Sequence, residues 1–158
     1  MAHENLWGTL STISTHLDGA PFGQPKSFVD GSISNSTGDL YFYDSDMDES
    51  MKDVAEDSRV SFSLSSAALD LCGPTDTSDP ENPTCARAVF SGTFKIVTNP
   101  EEVKFAKDAL FERHPMMVGW PDDHSWKIHK INISEIWFID IYGGAKIVDI
   151  DDYYAVEV

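Results

Sequence analysis

The stretch Trp126 to Ile141, WKIHKINISEIWFIDI, limits what this chain can fold into more than any other. Apolar residues recur at every second position. Ile128, Lys130, Asn132, Ser134, Ile136, Phe138, Asp140 and Tyr142 form one side. Lys127, His129, Ile131, Ile133, Trp137, Ile139 and Ile141 form the other. Period-two apolar content rich in β-branched and aromatic residues predicts one long, largely buried strand, which Gly143-Gly144 stops. The preceding stretch, His114 to Trp126, is dense in Pro, Trp, His and acid. Pro115 and Pro121 each remove a backbone donor and bias the residue before them away from helix, so regular structure there must be short.

The rest of the chain reads in the same terms. Leu6–Ser14 is a strand, followed by a turn region at Asp18-Gly19 and Pro21-Phe22-Gly23. Lys26–Val29 is a short strand, Ser32–Asp39 a polar loop, and Leu40–Tyr43 a strand. Met47, Met51, Val54 and Ala55 fall at helical spacing, with Asp46 or Asp48 as cap of a short amphipathic helix over Asp48–Glu56. Arg59–Leu64 and Ala86–Val97 are strands. They flank an exposed loop, Leu69–Cys85, broken by Gly73, Pro74, Pro80 and Pro83. Pro100 opens a helix that runs to about Arg113, with Val103, Ala106, Leu110 and Phe111 on one face. Asp149–Tyr154 is a short turn or helix. With 158 residues, 41% of them hydrophobic, the chain has the size and apolar content of one domain over residues 1–158. Hairpin-like strands with inserted helices predict a mainly β, α+β fold: an antiparallel barrel with helices outside it.

The formal charge of −16, from 27 acids and 11 bases, disfavours nucleic acid and anionic membranes as partners, because both require a basic footprint. There is no run of about 18 apolar residues, the length a helix needs to span a bilayer, and no signal peptide is visible in this stretch of chain. Cys72 and Cys85 flank a Pro/Gly/Asp loop. A bridge between them would staple a segment that cannot pack itself, contributing roughly 3 kcal/mol in the entropic account; the alternative is two reduced thiols in a cytosolic protein. Two glycosylation triplets occur, Asn35-Ser36-Thr37 and Asn132-Ile133-Ser134. Together these features point to the secretory route.

Asp44-Ser45-Asp46-Met47-Asp48 has the first ligands of a calcium loop, but Glu49 stands where Gly is needed and Ala55 where Glu is needed. It therefore reads as a solvated helix start. His114, His124 and His129 have no metal-site spacing, and no metal is expected. There is no GxSxG, GxGxxG or phosphate loop. Two basic residues do lie where bases are scarce. Lys26-Ser27 on a strand, with Ser50 and Lys52 at the opening of the first helix, would offer ammonium groups, hydroxyls and helix amides to a phosphate. The alternative is two lysines that simply face solvent and neighbouring acids.

Longer stretches carry a resemblance. These are Trp7-Gly8-Thr9-Leu10-Ser11-Thr12-Ile13-Ser14, Asn82-Pro83-Thr84-Cys85-Ala86, Arg113-His114-Pro115, Gly119-Trp120-Pro121 with His124, and Tyr142-Gly143-Gly144-Ala145-Lys146-Ile147-Val148. They are similar to the CREG family, the cellular repressors of viral-early-protein-stimulated genes, a branch of the pyridoxamine-5'-phosphate-oxidase-like, FMN-binding split-barrel superfamily. The resemblance implies a split β-barrel, a homodimer, and a secreted glycoprotein delivered to endosomes and lysosomes (the vacuolar lumen). Asn132 matches a family glycosylation position, Asn35 lies in a variable loop, and the paired cysteines match as well. Catalytic relatives hold FMN at the dimer interface through basic and hydroxyl residues of the second strand and an S-x-K pattern after the third. Here Ser50-Met51-Lys52 keeps that pattern and Lys26-Ser27 offers the other contact.

Two functions are therefore expected to compete. In the first the barrel is a non-catalytic scaffold for a receptor or other protein. In the second it is an FMN-dependent oxidoreductase with the phosphate on Lys26, Ser27, Ser50 and Lys52. No side chain presents itself as acid, base or nucleophile, although flavin chemistry belongs mostly to the cofactor. Trp120, Trp126, Trp137 and Met116-Met117 supply large apolar surface near one loop, suited either to a dimer contact or to plugging the end of the barrel.

Overall fold

The computed structural model describes residues 1–72, 79–82 and 84–156. Eight strands and three helices alternate along it: β1 (Trp7–Ile13), β2 (Pro21–Ser27), β3 (Val29–Ser32), β4 (Asn35–Ser45), α1 (Glu49–Glu56), β5 (Arg59–Ser65), β6 (Arg87–Ile96), α2 (Pro100–Arg113), β7 (Trp126–Ile139), β8 (Lys146–Val148) and α3 (Ile150–Tyr154). Every strand pairing is antiparallel. The sheet order is β2-β1-β5-β6-β7-β4-β3, with β8 added to β7. The two edges of this order, β2 and β3, are separated in the chain by Phe28 alone. The sheet therefore curls back on itself into a half-barrel, as the sequence predicts.

Phe28 sits inside that curl, fully buried, with ring centroids 5.0 Å from Phe62 and 6.2 Å from Phe42. Leu10, Leu40, Phe90, Phe94, Ile131 and Ile136 complete the core. Each such side chain contributes about 1.5–3 kcal/mol by leaving water. A second core lies outside the barrel wall. There α2, opened by Pro100 and capped by the Asn99 side chain, buries Ala106, Ala109 and Leu110 against Val29, Tyr41 and Ile128.

The long strand β7 departs from unbroken alternation. Ser91 pairs with Glu135 but Gly92 pairs with Ile133, so Ser134 is an extra residue. This bulge reverses the phase: Ile131 and Ile133 point into the barrel before it, and Ile136 and Phe138 after it. A glycine is required opposite, because a Cβ on Gly92 would stand 2.1 Å from the Asn132 carbonyl oxygen.

Three other readings change. The polar loop expected over Ser32–Asp39 is mostly strand. Ser32 pairs with Asn35 and Gly31 with Ser36, leaving Ile33-Ser34 as a tight turn. A polar, glycine-containing run reads as loop, yet backbone pairing does not need apolar side chains. Pro21-Phe22-Gly23 lies in β2, which tolerates Pro21 and Pro25 because it is an edge strand. β8 went unread because only three residues take part. Part of the Leu69–Cys85 loop, including Gly73, Pro74 and Pro83, lies outside the described residues. At its ends Cys72 and Cys85 are buried and bonded, with sulfurs 2.13 Å apart.

Candidate functional site

A cleft of about 440 Å³ opens between β2, the end of β4 and the Pro-rich segment before β7. That segment folds as two 3₁₀ turns, Pro115–Gly119 and Asp122–His124. Its prolines and the left-handed Ser125 confine it to single turns. It brings Trp120, His124 and Met117 over strand residues Tyr43, Asp44 and Ser45. The Ser45 hydroxyl donates to the His124 carbonyl, and the Trp126 indole N–H donates to the Pro121 carbonyl at 2.8 Å, tying the turns to the wall.

The wall of the cleft is aromatic. Tyr43 stacks on Trp126 at 5.0 Å and on Trp120 at 6.1 Å, and the two indoles lie 4.7 Å apart. The floor is charged. Lys26, only 9% exposed, donates to Asp44 Oδ1 at 2.6 Å and Asp48 Oδ2 at 2.7 Å. Asp48 is the N-cap of α1: its Oδ1 accepts from the Ser50 amide at 2.8 Å and from the Gln24 side-chain amide at 2.6 Å. Gln24 also donates to the Ser50 hydroxyl. Burial pushes the Asp44 carboxyl above its ordinary range, against the opposing pull of the Lys26 ammonium. Its second oxygen, Oδ2, is buried without a hydrogen-bond partner among the described residues. Burial and the nearby Asp122 charge also raise the Tyr43 hydroxyl.

The four residues expected around a phosphate separate. Lys26 and Ser27 line the cleft. Ser50 is fully buried beneath Gln24. Lys52 turns outward, its side chain 56% exposed and paired with Glu49 at 2.7 Å. Glu49 raises the Lys52 ammonium above its usual value. An FMN phosphate placed here would meet two carboxylates against one ammonium that they already hold, so the cleft of this chain is a poor match for a dianion. Asn35 and Asn132 are both exposed. Of the tryptophans considered together, Trp120 and Trp126 meet in the cleft. Trp137 lies on another sheet face beside Trp7 and Arg87.

The three histidines considered for zinc are dispersed. His114 Nε2 lies 3.0 Å from the Phe28 carbonyl, His124 lines the cleft, and His129 is buried in the wall of the barrel. A different group, His16, Glu49 and Asp53, brings its ligand atoms within 4.8 Å of one another. Asp53 spends both oxygens on Thr12 and Thr15, at 2.7–2.9 Å, which makes it a structural brace between α1 and β1. Buried hydrogen bonds hold its carboxyl below the ordinary range, although burial itself is the largest influence and opposes them. The acid floor of the cleft, Asp44 and Asp48, was missed as a unit in the sequence. Its one signal was the acid-rich run Asp44-Ser45-Asp46-Met47-Asp48: β4 ends at Ser45 and Asp48 caps α1, so the turn between them sets Asp44 and Asp48 on Lys26 while Asp46 pairs with Lys127.

A model for the CREG β-barrel family matches residues 1–155. Protein CREG1 of Gallus gallus is 40% identical over 159 residues, which take in 98% of this chain and 82% of the relative. Protein CREG2 of Homo sapiens is 37% identical over 156 residues, 98% of this chain but 53% of its own length, so the chain spans about half of that relative. Among solved structures, a heme-binding protein from Mycobacterium smegmatis superposes with a TM-score of 0.74 at 21% identity, over 96% of this chain and 55% of the other. A FAD-binding protein from Mesorhizobium loti superposes with a TM-score of 0.60 at 15% identity, over 85% of this chain and 86% of the other. At 21% and 15% identity these likenesses are of fold alone.

Proposed function

Starting from the fact that this chain belongs to the CREG β-barrel family, we propose that it is a homodimeric glycoprotein of the secretory route, secreted or held in the endosomal and lysosomal lumen, whose split barrel is a non-catalytic scaffold for binding another protein. The observation that carries this reading is the Lys26 ammonium, enclosed between Asp44 and Asp48. The basic residue best placed for a flavin phosphate is neutralised by the chain's own carboxylates, and Lys52 is paired outside the cleft. The secretory assignment is supported by the bonded Cys72–Cys85 pair and by two exposed acceptor asparagines, Asn35 and Asn132. The dimer is supported by Met116 and Val118, exposed by 81% and 65% on the turn beside Trp120.

The test is to incubate the purified protein with FMN, pass it through a desalting column and record the flavin absorbance band. The protein is expected to emerge colourless, and its light-scattering mass is expected to equal two chains. Stoichiometric retention of FMN would overturn the scaffold reading in favour of an FMN-dependent oxidoreductase. The likeness to a FAD-binding split barrel is the observation that favours this second reading.

A further inference from the structure

The cleft combines three features. Its wall is a stack of three aromatic rings, of which Trp120 is 36% exposed. Its floor holds one ammonium and two carboxylates, Lys26 against Asp44 and Asp48. One of those carboxylates, Asp44, is 4% exposed and keeps an oxygen without a hydrogen-bond partner. A buried, unpartnered carboxylate oxygen is costly unless something meets it. The surroundings add to the same sign: Asp122 is near enough to Tyr43 to raise its hydroxyl, and the whole chain carries −16.

Aromatic faces beside excess negative charge attract cations. The same ring cluster already holds one from within the chain. The Lys107 ammonium lies 5.2 Å from the Phe111 ring centre and 5.8 Å from that of Tyr43, on the α2 side. Met47 and Met117, also in the lining, give apolar contact for a methylene stem. A phosphate or a carboxylate would be repelled here, and an uncharged apolar group would leave the floor's second carboxylate charge unbalanced.

We infer that this cleft receives a basic side chain, the ammonium of a lysine or the guanidinium of an arginine presented by a partner polypeptide, with its charge toward the Asp44–Asp48 floor and its stem along Trp120 and Trp126. The inference rests on the scaffold reading above and names what that scaffold grips. Long-range attraction by the acidic surface would speed the encounter, and the aromatic wall would select a long apolar stem over a compact inorganic cation.

The experiment follows intrinsic tryptophan fluorescence, since two of the four tryptophans line the cleft. The probes are Nα-acetyl-lysine methylamide, Nα-acetyl-arginine methylamide, the uncharged Nα-acetyl-norleucine methylamide, free cadaverine, and a short peptide carrying one lysine among neutral residues. The expected result is a saturable change with the lysine and arginine probes, tightest with the peptide, and none with the norleucine probe. Trp120→Ala should weaken the peptide by about 5-fold, the scale of one cation–π contact, and Asp44→Asn should weaken it independently. Thermal unfolding of each variant checks that it is folded. If either variant fails to fold, the salt dependence of the wild-type protein replaces it, with weakening expected as ionic strength rises. Equal binding of the norleucine probe, or no saturable change with any cation, would overturn the inference. Tighter binding of cadaverine than of the peptide would overturn the assignment to a polypeptide. FMN uptake is scored separately, so a colourless protein that ignores cations refutes only this inference, whereas FMN retention refutes the scaffold reading beneath it.

Discussion

His129 should make this protein lose stability in mild acid. It lies on β7 with its side chain 5% exposed, its ring stacked 5.1 Å from Phe94 at 17°, and its Nδ1 without a partner among the described residues. Burial is the main cause that lowers its pKa from 6.5 to about 4, helped by Lys127 and Lys26 and opposed by Asp46. The unfolded chain takes up the proton as the pH falls through 6.5, whereas the folded chain resists until about 4. Stability from this group is therefore complete above 6.5, drains away between 6.5 and about 4, and does not change further below that. The whole drop corresponds to about 3 kcal/mol, of which about 2 kcal/mol is gone by a pH of about 5. Asp44 works in the opposite direction, because its raised carboxyl binds a proton more readily in the folded state and so stabilises the fold as pH falls. Comparison with His129→Leu removes that complication, since Asp44 is common to both proteins. Urea unfolding of the two between a pH of about 7.5 and about 4.5 should show the wild type losing about 2–3 kcal/mol relative to the variant. Parallel stability curves, or an imidazole signal for His129 that titrates near 6.5 in the folded protein, would refute the argument.

Other perturbations test the same structure. Lys26→Met should destabilise by about 3–5 kcal/mol, because Asp44 is left charged and buried, and adding Asp44→Asn should recover part of that loss in chemical denaturation. Gly92→Ala should lower the melting temperature sharply, since its methyl would overlap the Asn132 carbonyl at the β7 bulge; a melting temperature within a degree or so of wild type would show that the bulge relaxes. Reduction of Cys72–Cys85, which are 13 residues apart, should cost roughly 3 kcal/mol in the same denaturation assay.

Much of the architecture is legible in the residues. Helix α1 starts where Asp48 supplies a cap, and α2 starts where Asn99-Pro100 supplies a cap and a pre-set first turn. The strands that carry alternating apolar residues, β1, β5, β6 and β7, stand within one or two residues of where periodicity puts them. The failures share one cause. Residues 35–39 of β4 are polar, and β8 is three residues long, so neither offers a hydrophobic period. Both are held by backbone pairing to a neighbour whose position depends on the rest of the sheet. The bulge at Ser134 belongs to the same class. Its trace is the step of three positions from Ile133 to Ile136, where alternation takes two, and it acquires meaning only opposite Gly92.

The candidate site divides along that line as well. Residue types and local order were enough to mark Lys26, Ser27, Ser50 and Lys52 as candidate phosphate ligands, and to mark Trp120 and Trp126 as large surfaces near one loop. Which of these meet could not be read along the chain. Lys26 and Asp44 are 18 positions apart and touch only because the barrel curls β2 against the end of β4. Lys52 lies within four positions of Asp48, yet faces away because α1 turns it toward solvent and Glu49. Short-range preferences of capping, turning and alternation act between near neighbours, and the sequence alone determined those. The partner of a buried charge is chosen by where distant backbone segments come to rest, and only the closed sheet decided that Lys26 would be held by carboxylates.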